Sequence, residues 1–512
     1  MMWEFLILSV LSLYFFYRQA TANFDFFEKR GIPYDKPFPV FGSLKNVTLR
    51  KRSFFHAVLD LYNKHKGGIY GIFMQSTPAY LIRDPEILRL ITVKEFEHFM
   101  NHRNIFGESA HDLFSNSIIS MKNAKWKDMR STLSPAFTGS KLRHMFQLMN
   151  HVADDSAKYL HKLQLEGDQE GVELDLKNYA TCFTNDVIAS TAFGLQVNSF
   201  EQKDNTFYKL GKKATTVTWK TTLRFTLFIY CRGLMKLLGI EIFDKSLTDY
   251  FRNLVLDAMK YRLEHNVRRP DMVNLLLEAR GLLPSDSPKS HNREWSDTEM
   301  IAQCFIFFFA GFETVATLIC FAAHELMENP EVQEKLYEEV KDVSEQLESE
   351  QVTYETLQSM KYLDMVVSET LRKWPVSISS DRVCTKDFTF EVDGKRIEIK
   401  EGEFVFIPIA GLHRDPQYYP NPEKFDPARF STENKDKIKP FTYIPFNEGP
   451  RSCIASRFAL LEAKAILYYL IRDFRIAASK KTVIPLELST NGGFQLAPKH
   501  GFWLKLISRN KK

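Results

Sequence analysis

The chain has 512 residues, 44% of them hydrophobic and 26% charged, with a formal net charge of +5. That is the composition of a globular chain with a large core, and so mild a charge excludes nucleic acid as an obvious partner. No internal repeat and no Gly/Ser linker divides the sequence, so one large body is expected.

The chain opens MMWEFLILSVLSLYFFYR. Phe5 to Tyr17 is almost wholly apolar and carries aromatic residues near its ends, a short version of the roughly 20 residues that a spanning helix needs. Ala20-Thr21-Ala22 has the small residues of a signal-peptide cleavage site. Glu4 precedes the apolar run, however, while Arg18, Lys29 and Arg30 follow it. That order favours an uncleaved anchor over residues 1–22 with the body on the cytosolic side. Pro33, Pro37 and Pro39 stiffen residues 23–42 into a hinge. Residues 43–512 form the body.

Two β-like stretches, Ile69–Phe73 and Ala79–Ile82, flank a turn expected at Thr77-Pro78. Helical patterns then run from about residue 85 to residue 374. The longest begins at Ser296, where Ser296-Asp297-Thr298-Glu299 has the spacing of a capping box. It should reach about Met327, or roughly 48 Å. Its middle, CFIFFFAGFETVAT, is apolar all round and therefore buried. Gly311, Glu313 and Thr314 interrupt it. A packing glycine and a hydroxyl bonded to the carbonyl four residues back would account for two of them. Farther on, Phe388–Val392 and Arg396–Ile399 bracket Asp393-Gly394, a two-residue hairpin signal. Residues 412–445 hold six prolines and little periodicity. A last helix runs from about Ile454 to Phe474. The fold class is mainly α with small β-sheets, an α+β arrangement.

The six cysteines, Cys182, Cys231, Cys304, Cys320, Cys384 and Cys453, contain no C-x-x-C pair. Neither a zinc site nor a disulfide framework is indicated. Cys182, Cys304 and Cys320 lie in apolar runs as small hydrophobes. Cys453, in FNEGPRSCIASR, is different. It stands at an expected helix start near Arg451 and Arg457, where a thiolate is stabilised. Gly449 lets the backbone turn, and Phe446 offers a ring to cover the sulfur. Such a thiol suits an axial metal ligand or a nucleophile, and no base for a nucleophile is apparent.

F-x-x-G-x-R-x-C-x-A, from Phe446 to Ala455, resembles the haem-ligating loop of the cytochrome P450 family, with Ala455 where glycine is usual. Further motifs follow the family's order. Glu369-Thr370-Leu371-Arg372 resembles its E-x-x-R. Phe425-Asp426-Pro427-Ala428-Arg429-Phe430 resembles the segment that brings Arg429 into a structural charged trio with Glu369 and Arg372. Ala310-Gly311-Phe312-Glu313-Thr314 resembles the oxygen-binding groove. Trp126-x-x-x-Arg130 is similar to the pair that holds a haem propionate. Asp186–Gly194 and the FFFAGFETVAT run resemble the insect-type microsomal branch that oxidises insecticides and plant toxins.

The resemblance implies a haem-thiolate monooxygenase with haem b (iron protoporphyrin IX), dioxygen as co-substrate and a lipophilic substrate, xenobiotic or endogenous. Cys453 would ligate the iron, and thiolate ligation favours O–O cleavage. Arg130, Arg451 and Arg382 would pair with propionates. Ala310 and Gly311 would leave room for dioxygen, and Thr314 with Glu313 would relay protons. Val315 stands where many relatives carry a second hydroxyl. Electrons would come from NADPH through a membrane-bound flavoprotein reductase, since no flavin or nicotinamide motif is found. Lys122, Lys125, Lys127 and Arg130 could meet an acidic partner. Substrate contacts are expected from residues 101–120, Val376–Ser380, Gly493–Leu496 and the phenylalanines of Cys304–Phe309, with residues 221–240 dipping into the membrane. The implied location is the endoplasmic reticulum membrane, facing the cytoplasm. The alternatives are a haem-thiolate isomerase or dehydratase acting on oxygenated lipids, and a non-catalytic haem-binding protein.

Overall fold

A computed structural model describes residues 2–509 apart from 105–111, 168–169, scattered positions between 217 and 242, 270, 285–292, 348–350 and 492–494. Cys231, half of residues 221–240 and Gly493 therefore lie outside the described residues. Helix accounts for 54% of the chain, which makes the fold mainly α.

Seven helices place the site: α1 (Met2–Thr21), α2 (Asn123–Leu133), α3 (Gly139–Glu166), α4 (Leu176–Ile188), α5 (Asp297–Glu328), α6 (Lys361–Lys373) and α7 (Ser456–Asp473). Helix α5 starts where the sequence says. Ser296 Oγ accepts the Glu299 amide and Glu299 returns a carboxylate to the Ser296 amide, so two free donors of the first turn are satisfied. From there α5 runs through the core, with Phe305, Phe308 and Phe312 fully buried. Phe308 lies edge-on to Phe207 at 4.8 Å and tilted against Phe251 at 4.5 Å. Each such ring contributes about 1.5–3 kcal/mol by leaving water.

Helix α1 has the opposite character. Trp3 is 72% exposed and Phe5 70%, and the large apolar side chains described along this helix stand exposed as they do. The hinge residues that follow pack on the body. Phe27 is fully buried, and the Pro33 carbonyl accepts the Gly71 amide at 2.8 Å.

The main sheet has four strands in the order β1 (Ile69–Met74), β2 (Thr77–Ile82), β7 (Phe404–Ile407) and β4 (Ser380–Val383). The first turn falls at Gln75-Ser76, not at Thr77-Pro78. Gln75 takes φ 58°, and Pro78 sits inside β2 opposite Phe73. Pro78 is the second residue of β2 and precedes the pairing with β7, which begins at Ala79, so the missing proline amide is tolerated there. The hairpin of β5 (Phe388–Val392) and β6 (Lys395–Ile399) turns at Asp393 (φ 50°) and Gly394 (φ 70°), as the dipeptide requires. Strands β3 (Val172–Asp175), β9 (Trp503–Ser508) and β8 (Phe474–Ala478) make a third sheet in that order.

Candidate active site

A cavity of about 570 Å³ lies between α5 and the loop before α7. Cys453, Phe446, Arg451 and Ala455 line one side, while Ala310, Gly311, Thr314 and Val315 come from α5. Trp126 and Arg130 from α2 line it as well.

The cysteine loop is built by backbone contacts. Gly449 has φ 76°, and a Cβ there would stand 1.9 Å from the Thr92 carbonyl oxygen, so only glycine fits. The Cys453 amide donates to the Phe446 carbonyl at 2.8 Å and closes the loop. Helix α7 begins at Ser456, so Cys453 lies three residues ahead of the helix instead of immediately before it. Its open surface faces the cavity. Burial raises the thiol above its ordinary pKa, opposed by the Ala455 amide and then by the Arg130 charge. The cation nearest in effect is thus Arg130, neither Arg451 nor exposed Arg457. The protein alone favours the thiol, and a metal ion would have to complete its deprotonation.

Arg451 is spent on the scaffold. It donates to the carbonyls of Met100 (2.8 Å), Ile118 (3.1 Å) and Met121 (2.6 Å), and its guanidinium covers the Trp126 ring at 4.1 Å. Burial, and then the charges of Arg382 and Arg130, push it down to about 9. Arg382 is fully buried, is lowered by burial to about 10, and its Nε has no hydrogen-bond partner among the described residues. A cluster of repelling guanidiniums beside an apolar cavity needs an anion. The arrangement fits a flat group that carries carboxylates and presents a metal to the thiol.

On α5, the Thr314 hydroxyl faces the cavity and donates to the Ala310 carbonyl at 2.7 Å. Glu313 does not line the cavity. Its carboxylate pairs with Lys177 Nζ at 2.7 Å, on the side of α4. Gly311 makes room for a neighbour as well as for the cavity: a Cβ on it would lie 2.9 Å from Ile188 Cδ1.

Behind the loop, Arg372 gives two bonds to Glu369 (2.7 and 2.8 Å), and Arg429 Nε lies 3.5 Å from the same carboxylate. Glu369 and Arg372 are fully buried. The backbone amide of Asp426 and the carbonyls of His413 and Pro422 complete the network.

Val376 and Ser380 line the cavity, as do Ile118, Ile119 and Ser120 within 101–120. Leu496 is buried in the core and is not among the lining residues. Of Cys304–Phe309 only Ile306 and Phe307 reach the cavity, and the other rings belong to core packing. Lys125 is paired with Glu299 and Lys127 with Glu97, so the basic face of α2 is partly neutralised within the chain. Sequence reasoning missed Ile188, Thr191, Ala192 and Asp381, which come to the cavity from elements far apart in the chain.

A family model described as cytochrome P450 matches residues 32–504. The chain is 56% identical to probable cytochrome P450 9f2 of Drosophila melanogaster over the full length of both. It is 41% identical to cytochrome P450 9e2 of Blattella germanica, covering 100% of this chain and 98% of that one. With cytochrome P450 6A1 of Musca domestica it shares 32%, over 99% and 97%.

Fold and cavity define a haem-thiolate oxidoreductase. The chain belongs to the cytochrome P450 family and is a haem-dependent monooxygenase, with haem b as cofactor, dioxygen as co-substrate and electrons from NADPH.

Proposed function

We propose that this protein is a membrane-tethered monooxygenase of lipophilic small molecules, of the xenobiotic-oxidising insect type. The observation that carries the reading is the meeting in one cavity of the Cys453 thiol, the Thr314 hydroxyl and Arg130 and Arg451, with Arg382 buried beside them. Haem, when bound, would supply the dioxygen chemistry, one oxygen atom entering the substrate and the other leaving as water with two electrons that originate from NADPH and two protons.

The chain's own groups divide the remaining work. Cys453 would ligate the iron, while Phe446 and Gly449 shape the loop around the sulfur. Arg130, Arg382 and Arg451, with Trp126 beneath Arg451, supply the positive field for the propionates. Ala310 and Gly311 keep the roof low. The Thr314 oxygen, its proton given to Ala310, presents lone pairs that hold a water molecule in a dry pocket. Glu313 is the carboxyl that feeds protons along α5 when Lys177 releases it. Glu369, Arg372 and Arg429 hold the wall behind the cysteine loop.

The exposed apolar helix α1 ties the enzyme to the endoplasmic reticulum membrane, with the body on the cytoplasmic face. An NADPH-dependent flavoprotein reductase delivers the electrons. The testing experiment is the carbon monoxide difference spectrum of the reduced protein beside Cys453→Ala. A strongly red-shifted Soret band is expected, lost in the variant. A shorter-wavelength band that the substitution leaves unchanged would overturn the assignment.

A further inference from the structure

Gln303 of α5 is fully buried in an otherwise apolar run from Met300 to Ala310. It stands three, four and seven residues before Ile306, Phe307 and Ala310, on the stripe of the helix that lines the cavity. Gln303 itself is not among the lining residues. A buried amide is costly unless both of its ends are bonded, and methionine would fill the same space. What Gln303 holds must therefore explain its place.

Both ends are bonded. Gln303 Oε1 accepts the Ile118 amide at 2.8 Å, and Nε2 donates at 2.8 Å to the Asn116 carbonyl and to the Glu299 carbonyl of its own helix. The segment that it grips, residues 112–121, is knit by bonds of its own. The Asp112 carboxylate accepts the Phe114 and Ser115 amides at 3.2 and 3.1 Å. The Ser120 and Met121 amides both return to the Ser117 carbonyl, at 3.0 and 2.9 Å. On the other side, the Ile118 carbonyl accepts Arg451 Nη1 at 3.1 Å. Ile118 thus ties α5 to the cysteine loop, while Phe114, Ile118 and Ile119 line the cavity.

We propose that Gln303 is a positioning residue that sets substrate selectivity, an inference that rests on the monooxygenase reading. It pins residues 112–121 as a fixed wall of the cavity, one turn of α5 ahead of Ile306 and Phe307. A wall already in place favours elongated apolar substrates, because little ordering remains to be done when such a molecule binds. A ligand that stays at the haem iron draws nothing from it.

The test uses Gln303→Met in the haem-loaded, full-length enzyme and reads binding from the shift of the Soret band. The probes are imidazole, which meets the iron alone, and 1-dodecylimidazole, whose chain runs out along the wall. A buried hydrogen bond is worth about tenfold in an equilibrium, so the variant should bind 1-dodecylimidazole about tenfold more weakly. Imidazole affinity and the carbon monoxide spectrum should be unchanged. Hydrogen exchange gives a second readout, without ligand. The Ile118 amide should be protected in the wild type and exchange about tenfold faster in the variant, while the Met121 amide keeps its protection inside the segment. Equal weakening of both probes overturns the proposal, and so does an unchanged affinity for 1-dodecylimidazole. Exchange that rises equally at Met121 also overturns it, because the segment would then be unravelling instead of leaving α5. If the variant does not fold, fast exchange at Ile118 in the wild type overturns it. A wild type without the red-shifted band sinks the monooxygenase reading instead, and exchange at Ile118 then decides the clamp alone.

Discussion

The Thr314 hydroxyl gives its proton to the Ala310 carbonyl, 2.7 Å away and one turn back along α5. That bond fixes the rotamer and leaves an acceptor oxygen facing the cavity. Thr314→Val keeps the shape and removes the acceptor. In the reductase-driven reaction, product formed per NADPH consumed should fall by about 100-fold, the lower end of the 10²–10⁴ that a positioned proton carrier supplies. Unchanged coupling would remove Thr314 from the mechanism.

Gly449 is held at φ 76° with the Thr92 carbonyl where a side chain would begin. Gly449→Ala must therefore displace either the cysteine loop or the segment at Thr92, at a cost of several kcal/mol. The expected outcome is little or no bound haem although Cys453 remains, measured as the ratio of Soret to protein absorbance.

Glu369 accepts two bonds from Arg372 at zero exposure, so removing the carboxylate strands a buried cation. Glu369→Leu should cost about 3–5 kcal/mol. The thermal midpoint of haem release reports it. A midpoint within a degree of the wild type would contradict the buried pair.

Much of this was legible in the sequence because the signals are local. The Ser296 capping box, the Asp393-Gly394 hairpin and the long apolar helix depend on neighbours within a few residues, and each stands where its residues put it. The glycine of the cysteine loop was legible as a tight place, though not as a clash with Thr92. What distance in sequence hides is partnership. Nothing near Glu313 announces Lys177, 136 residues earlier, and nothing near Arg451 announces that three backbone carbonyls claim it. The Thr77-Pro78 turn failed because proline was read as punctuation where it stands at the second residue of an inner strand, ahead of the pairing with β7 that begins at Ala79.

Glu462 of α7 is buried with both carboxyl oxygens unpartnered among the described residues, and burial holds its pKa well above 4.5. Below the unfolded value near 4.5 both states are protonated and the group is neutral in its effect. As pH rises past that value the unfolded chain ionises first, so the fold loses about 1.4 kcal/mol per pH unit until the folded carboxyl also titrates. Glu462→Gln should match the wild type at pH 4 and be more stable at pH 7. Denaturation midpoints across that range decide it, and a gap that shrinks toward neutral pH would refute the sign.

Ile188 occupies the space that Gly311 leaves empty, and both residues also face the cavity. The ceiling over the reacting centre is therefore set jointly by α5 and by the last residue of α4, about three turns away from the Lys177 that pairs with Glu313. A smaller residue at Ile188 would open the pocket from behind while α5 kept its sequence. In a lineage exposed to changing chemicals, substrate range could drift through α4 at no cost to the machinery that splits oxygen.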